Sequence, residues 1–282
     1  MSSTASGQIE EVRNREEFWE VVGLLLADGT VRKSNHFEII FAGKEEALIE
    51  RYKKCIESLF GDVHFSERID KHQVKIVRVF QKNVVNVFLQ FLPQWKRKGN
   101  TILQFPSITN LPENLLKSFL RGFFSAEGSV ILGCKWHKLK KLWIINKRVQ
   151  ASSKNDSLKN FVAEMLRKLG FHPAVWKNEV VLTRKEDILR FSKEIRFIDG
   201  VKISRKSRRW NGVEKNVILD IVAKLCEEGK NSFRSFEEWE NFCKTCLLEA
   251  SGTGVHWLKG DASWVQNVVT ACEALPKDVA SC

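Results

Sequence analysis

Val21–Gly29 reads VVGLLLADG, and Leu120–Gly128 reads LRGFFSAEG. Each is an apolar run with a glycine inside it, and each closes on a small residue, an acid and a glycine. Around the first copy, Phe18, Val21, Val22, Leu25 and Leu26 recur at helical spacing, so Glu16 to Ala27 is expected to form a helix stopped at Gly29. Leu115 to Ala126 is expected to form a second, stopped at Gly128. Each helix carries two small residues four apart: Gly23 with Ala27, and Gly122 with Ala126. Bulky side chains hold helix axes about 8–10 Å apart, and small ones let backbones come closer. The two helices are therefore expected to pack side by side about a pseudo-twofold axis. Asp28 and Glu127 then stand together at their ends.

Working outward, the same order of elements follows each helix. After the first come a hairpin (TVRKSNHFEIIFAG), an amphipathic helix ending at Gly61, two strands (VHFSERIDKHQVKIVRVF) and a helix (NVVNVFLQFL). After the second come a longer hairpin from Ser129, an amphipathic helix ending at Gly170, a hairpin around Lys177 and Asn178, and a closing helix from Lys185. The amphipathic helices match residue for residue: Ile49 with Leu158, Tyr52 with Phe161, Ile56 with Met165, Phe60 with Leu169. An ordered match of this kind is an internal duplication. The expected architecture is α+β: two αββαββα units related by a pseudo-twofold axis, with two antiparallel sheets. The expected division is an N-terminal tail (1–15), a first unit with its connector (16–111), a second unit (112–214) and a small helical extension (215–282).

Charge narrows the partner. The net charge is +12. Residues 215–282 hold 7 Lys/Arg and 10 Asp/Glu, so the remainder holds 39 and 24 and carries +15. A field of that sign concentrated on one part of a molecule points to a polyanion. Seven scattered cysteines fit a reducing, intracellular setting better than a disulfide framework. No apolar run approaches the length of a membrane span, and the N-terminus lacks the form of a signal peptide, so neither membrane insertion nor secretion is expected.

Two carboxylates at neighbouring helix C-termini are badly placed, because each faces a negative dipole end and the other acid. A divalent cation relieves both problems. Few oxygen ligands, with room left for water and phosphate, are the usual setting for Mg²⁺. Such a metal activates water and stabilises the leaving oxygen of a phosphodiester.

These residues and their spacing resemble the two motifs of a single-chain LAGLIDADG homing endonuclease, over about residues 16–210. The resemblance implies a monomer whose motif helices form the interface between halves and whose two four-stranded sheets straddle double-stranded DNA as a saddle. It implies that Asp28 and Glu127, with Ala27 and Ala126 beside them, hold Mg²⁺ or Mn²⁺. It also implies basic residues near the metals, for which Lys82 with Lys185 are the best symmetric candidates and Lys44 with Lys154 the next. The family often has another acid two positions before the motif's last one, where Leu26 and Ser125 stand here. The implied activity is double-strand cleavage of a long asymmetric site by an intron-encoded enzyme, leaving short 3′ overhangs. An RNA maturase assisting its host intron is the alternative, since some relatives keep the fold without the nuclease activity. A transcription regulator would be expected to carry a helix-turn-helix, for which the extension shows no clear pattern. No splice-junction residues flank the chain, so a free-standing protein is expected rather than an intein.

In such a saddle, alternate strand residues face the duplex. The candidates are Arg32, Lys33, Glu38, Lys44, Arg68, Lys75, Arg78, Lys135, Lys138, Lys140, Arg148, Gln150 and Lys154. Arg205 and Arg208, in the basic run KISRKSRR, are expected along the phosphate backbone, and KRKG at 96–99 is a further crossing point. Trp136 and Trp143 of the long hairpin are additional candidates for DNA contact. Cys243 and Cys246 form a CxxC, but no second pair completes a zinc site. They fall with Trp239, Phe242 and Leu247 on an apolar helix side and are read as core.

Overall fold

The computed structural model describes residues 9–33, 37–93, 95, 102–204, 207 and 209–251. The first unit runs α1 (Glu16–Asp28), β1 (Gly29–Lys33), β2 (Phe37–Gly43), α2 (Glu46–Phe60), β3 (Ser66–Ile69), β4 (Lys75–Val79) and α3 (Lys82–Phe91). The second runs α4 (Glu113–Glu127), β5 (Gly128–His137), β6 (Leu142–Ser152), α5 (Asp156–Lys168), β7 (Ala174–Val175), β8 (Glu179–Leu182) and α6 (Lys185–Glu194). Then come α7 (Lys215–Glu227), β9 (Ser232–Phe233) and α8 (Phe236–Ser251). The sheets have equivalent orders, β1-β2-β4-β3 and β5-β6-β8-β7, and every pairing is antiparallel.

The duplication expected from the paired motifs is present, and its centre is the contact between α1 and α4. A Cβ placed on Gly23 would lie 2.3 Å from the Phe119 carbonyl oxygen, and one on Gly122 would lie 2.3 Å from that of Glu20. Glu20 and Phe119 are themselves equivalent positions, as are Gly23 and Gly122. Reciprocal contact between equivalent residues is the mark of a twofold relation. Gly29 and Gly128 differ from ordinary helix-ending glycines, because their backbones are extended rather than left-handed. They are needed for space: a Cβ would come within 2.5 Å of Leu25 and 2.3 Å of the Phe124 carbonyl oxygen. Left-handed closure occurs instead at Gly61 and Gly170, with φ of 76° and 77°, after α2 and at the end of α5.

Below each sheet the helices build one continuous core from Phe18, Phe41, Tyr52, Phe88, Phe119, Phe124, Phe161 and Phe191, all buried. One charge lies inside it. Glu20, fully buried on α1, is shared by Arg51 of α2 and Arg121 of α4, with Arg121 Nε 2.7 Å from Oε2. The carboxylate holds the Arg51 guanidinium well above its usual range. Because removing one partner of a buried pair strands the others, Glu20→Gln is expected to cost about 3 kcal/mol. A lower urea midpoint at constant slope checks it.

The extension does not stand apart. Besides its helices it contributes β9, which pairs with β6 through Trp143↔Phe233 and Ile144↔Ser232, so the second sheet has five strands. Lys147 of β6 donates from Nζ to the carbonyl oxygen of Lys230 at 2.7 Å and to Asn231 Oδ1 at 3.1 Å. Ser235 caps α8, accepting from Glu238 N at 3.0 Å. Cys243 and Cys246 are free and buried, and among the described residues no group of three or more His, Cys, Asp or Glu is placed to hold a metal. Among the same residues no helix is long and apolar enough to cross a membrane.

Candidate active site at the helix seam

α1 and α4 end side by side because nothing larger than hydrogen fills the space at Gly23 and Gly122. Each helix turns directly into the first strand of its own sheet, β1 or β5. That connection sets Asp28 and Glu127 at the junction of both units. Both acids are partly exposed, while Leu26 and Ser125, two positions earlier, are fully buried. Ser125 ties the segment after α6 to the end of α4. Its hydroxyl donates to the Arg121 carbonyl at 2.6 Å and accepts from Ile198 N at 2.7 Å.

One cation at this junction was not expected from the sequence. Lys215, the first residue of α7, donates from Nζ to the carbonyl oxygens of Ser125 and Gly128 at 2.8 and 2.7 Å. It is 7% exposed and lies within the fields of Glu45, Asp28 and Glu127. Burial draws its ammonium down to about 8 against that attraction. No periodicity marks this residue, because it lies far beyond the repeat and reaches the seam only through the loop after α6.

Lys82 and Lys185 need correction as candidates for the acid site. Gly29 pairs with Phe41 at the acid end of the first sheet, whereas Lys82 sits over the Phe37 ring at the other end. At roughly 3.3 Å per residue, four residues of strand separate those ends by about 13 Å. Lys185 likewise follows Leu182, whose partner Val149 pairs with Val130, so it lies past the end of β8 that points away from Gly128. The pair is symmetric, as its spacing indicated, but it caps the outer ends of the sheets. Lys44 and Lys154 are exposed and follow the strand ends nearer the acids.

Alternation sorts the other candidates. In the first sheet Val31, Ile39, Phe41, Val77 and Val79 face the core, so Arg32, Glu38, Arg68 and Arg78 share the opposite face. Lys75 does not: it has the parity of Val77 and Val79, and its ammonium is engaged with Glu46 at 2.8 Å and Glu67 at 3.1 Å. A strand cannot present both Lys75 and Arg78 on one side, because three residues is an odd step. Glu38 is buried in an ion pair with Arg32, while Lys33 is exposed at the strand end.

In the second sheet Val130, Leu132, Val149 and Ala151 face the core, and Lys135, Arg148 and Gln150 face away. Lys138 and Lys140 are exposed in the turn that closes the long hairpin. Trp143 is turned to the extension, 4.9 Å from the Phe236 ring, and Trp136, on the same side, is 5.8 Å from Trp143. The aromatic that does lie on the outward face is Trp176, 44% exposed with the Arg148 guanidinium over its ring. It follows the two-residue strand β7, which is too short to show an alternation. Arg78 Nε, Arg148 Nε and Gln150 Oε1 have no hydrogen-bond partner among the described residues. Arg205, Arg208 and the 96–99 run lie outside the described residues. Arg209 of the basic run stacks over Trp239 at 4.2 Å, anchoring the extension.

Two carboxylates at the seam fit an oxygen-only divalent ion that keeps most of its shell for water and phosphate. Fold and site together define a duplicated α+β protein with an acid pair at the junction of two sheet-bearing units. Residues 114–196 match the family model described as a LAGLIDADG-like domain. The first half repeats the architecture of that LAGLIDADG-like domain, with the same order of helices and strands.

Among solved structures it is similar to the LAGLIDADG meganuclease I-AabMI bound to uncleaved DNA, at 12% identity and TM-score 0.51, covering 81% of this chain and 97% of that one. It is also similar to I-DmoI in complex with DNA and Mn, at 18% identity and TM-score 0.44, covering 65% and 97%. Among curated proteins, an uncharacterized protein of Methanocaldococcus jannaschii is 27% identical over 157 residues, which is 55% of each chain. This chain thus spans about half the length of that relative.

Proposed function

We propose that this protein is a divalent-metal-dependent, site-specific DNA endonuclease that makes a double-strand break in a long asymmetric site. The observation that carries the reading is the pair Asp28 and Glu127, one from each unit, brought together by glycine-mediated packing between two sheets. Three residues on the outward faces, Arg78, Arg148 and Gln150, each hold one buried polar atom without a hydrogen-bond partner among the described residues. Such atoms ordinarily find one, and base edges and phosphates supply what arginine and glutamine lack. The DNA-bound meganuclease I-AabMI has the same fold, which is support by analogy.

In this reading Asp28 and Glu127, with the Ala27 and Ala126 carbonyls, would hold Mg²⁺ or Mn²⁺, which when bound would supply water activation and charge stabilisation at the leaving oxygen. The sheets orient the duplex: Arg68, Arg78, Lys135, Arg148 and Gln150 contact bases and phosphates, and Lys44 and Lys154 flank the acids. One acid from each half gives one reaction centre per strand, which suits a single chain to an asymmetric site.

The test is selection of cleaved sequences from a randomised DNA library, run with Mg²⁺ and with EDTA. Cuts on both strands of a recurring sequence, only with the metal, are expected. Recovery of no cleaved sequence with folded protein and Mg²⁺ would remove the nuclease reading. Stimulated splicing of a host intron in the same preparation would put the maturase in its place. Arg78→Ala and Arg148→Ala are each expected to weaken binding to the selected site about tenfold, measured by titration at fixed salt.

A further inference from the structure

Lys215 belongs to the part of the chain outside the duplication, yet it is held at the seam from both ends. Its backbone N–H donates to the Val201 carbonyl at 2.8 Å, and its ammonium donates to Ser125 and Gly128 at the end of α4. The ammonium lies 5.5 Å from the Phe197 ring centroid. The last carbonyls of a helix have no partners within it, and the dipole makes that end negative. Lys215 supplies both a donor and a positive charge there. The direct partners of this buried ammonium are the two carbonyl oxygens, and the negative charges that act on it are Glu45 at the start of α2 and Asp28 and Glu127 of the two motifs.

We propose that Lys215 is a positioning residue for the acid pair: a built-in counter-charge that holds Asp28 and Glu127 together without metal and lowers the site's affinity for free cations. The second half of this statement rests on the metal-centre reading above, and the first half does not. The extension is then part of the reaction centre, with α7 delivering its first residue to the junction. A metal bound beside a fixed ammonium also needs the additional negative charge of phosphate, which ties metal occupancy to DNA.

A double-mutant cycle tests the first half. Lys215→Met, Asp28→Asn, Glu127→Gln and their combinations are unfolded in urea with EDTA present. Lys215→Met is expected to lower the folding constant about tenfold more beside intact acids than beside their amides, since groups in contact couple. Should Lys215→Met fail to fold, Lys215→Gln keeps a donor to the two carbonyls without the charge, and carries the same cycle. Coupling within twofold of unity for both acids overturns the proposal and leaves Lys215 a helix cap.

Calorimetric titration with Mn²⁺ in the absence of DNA tests the second half. Removing the ammonium is expected to tighten binding about tenfold, and Asp28→Asn to abolish the gain. Unchanged or weaker binding to Lys215→Met overturns it. Wild-type Mn²⁺ binding that ignores both acids overturns the metal-centre reading, while the cycle still decides the first half independently.

Discussion

On the proposed endonuclease reading, Asp28→Asn and Glu127→Gln are each expected to lower double-strand cleavage by roughly a thousandfold or more, because each would remove half the charged oxygen ligands of the proposed metal centre. DNA binding is expected to stay within about threefold, since on the same reading the outward faces of the two sheets, not the acids, would hold the duplex. Stability is expected to change by no more than about 1 kcal/mol. An acid at a helix C-terminus opposes the dipole, so its neutral amide relieves repulsion while forfeiting attraction to Lys215. The side chains are isosteric and only partly buried, so packing is unaffected. Cleavage and binding on the selected site, with urea unfolding of the same samples, check all three. A structural acid would give the opposite pattern, with large stability loss and cleavage in proportion to folded protein.

Gly23→Ala or Gly122→Ala is expected to cost about 3 kcal/mol, and the corresponding valines to prevent folding. Two effects of opposite sign compete. Alanine gains about 1 kcal/mol of helix propensity over glycine. Against that, the added Cβ would sit 2.3 Å from a backbone oxygen of the facing helix, with Phe123 N only 2.8 Å away in the case of Gly23. Backbone cannot rotate aside like a side chain, so the helices must separate and unpack Phe119, Phe123 and Phe124 on both sides. The loss outweighs the propensity gain. A fall in thermal midpoint, equal for the two positions within error, is the measurement. Equality follows from the twofold relation, and any alanine variant that still folds should also lose cleavage as its acids part.

The duplication is legible in the sequence because both signals it rests on are local. Period-3.6 apolar patterns in Phe18–Leu26 and Leu115–Phe124, and their recurrence at constant offset, need no knowledge of tertiary contacts. The acid pair is legible for the same reason, since a helix that ends at Gly29 or Gly128 places the preceding residue without ambiguity. Strand faces are legible only where register is certain. Arg78 and Lys75 both suggest an outward position from sequence although parity allows one, and the packing of Val77 and Val79 chose Arg78. Lys82 and Lys185 match as a pair, but distance along a sheet is absent from an offset. Trp176, just after a strand of two residues, has no pattern to place it.

By itself the sequence determined the αββαββα repeat, the glycine seam and the two acids, because these depend on side-chain size and on periods of two and 3.6 residues along one chain. Tertiary structure alone decided that Glu20 bridges two arginines from different helices and that Lys215 enters the junction from outside the repeat. It also decided that β9 extends the second sheet. Those contacts join residues far apart in the chain, and long-range charge pairing leaves no periodic trace to be read before the chain is folded.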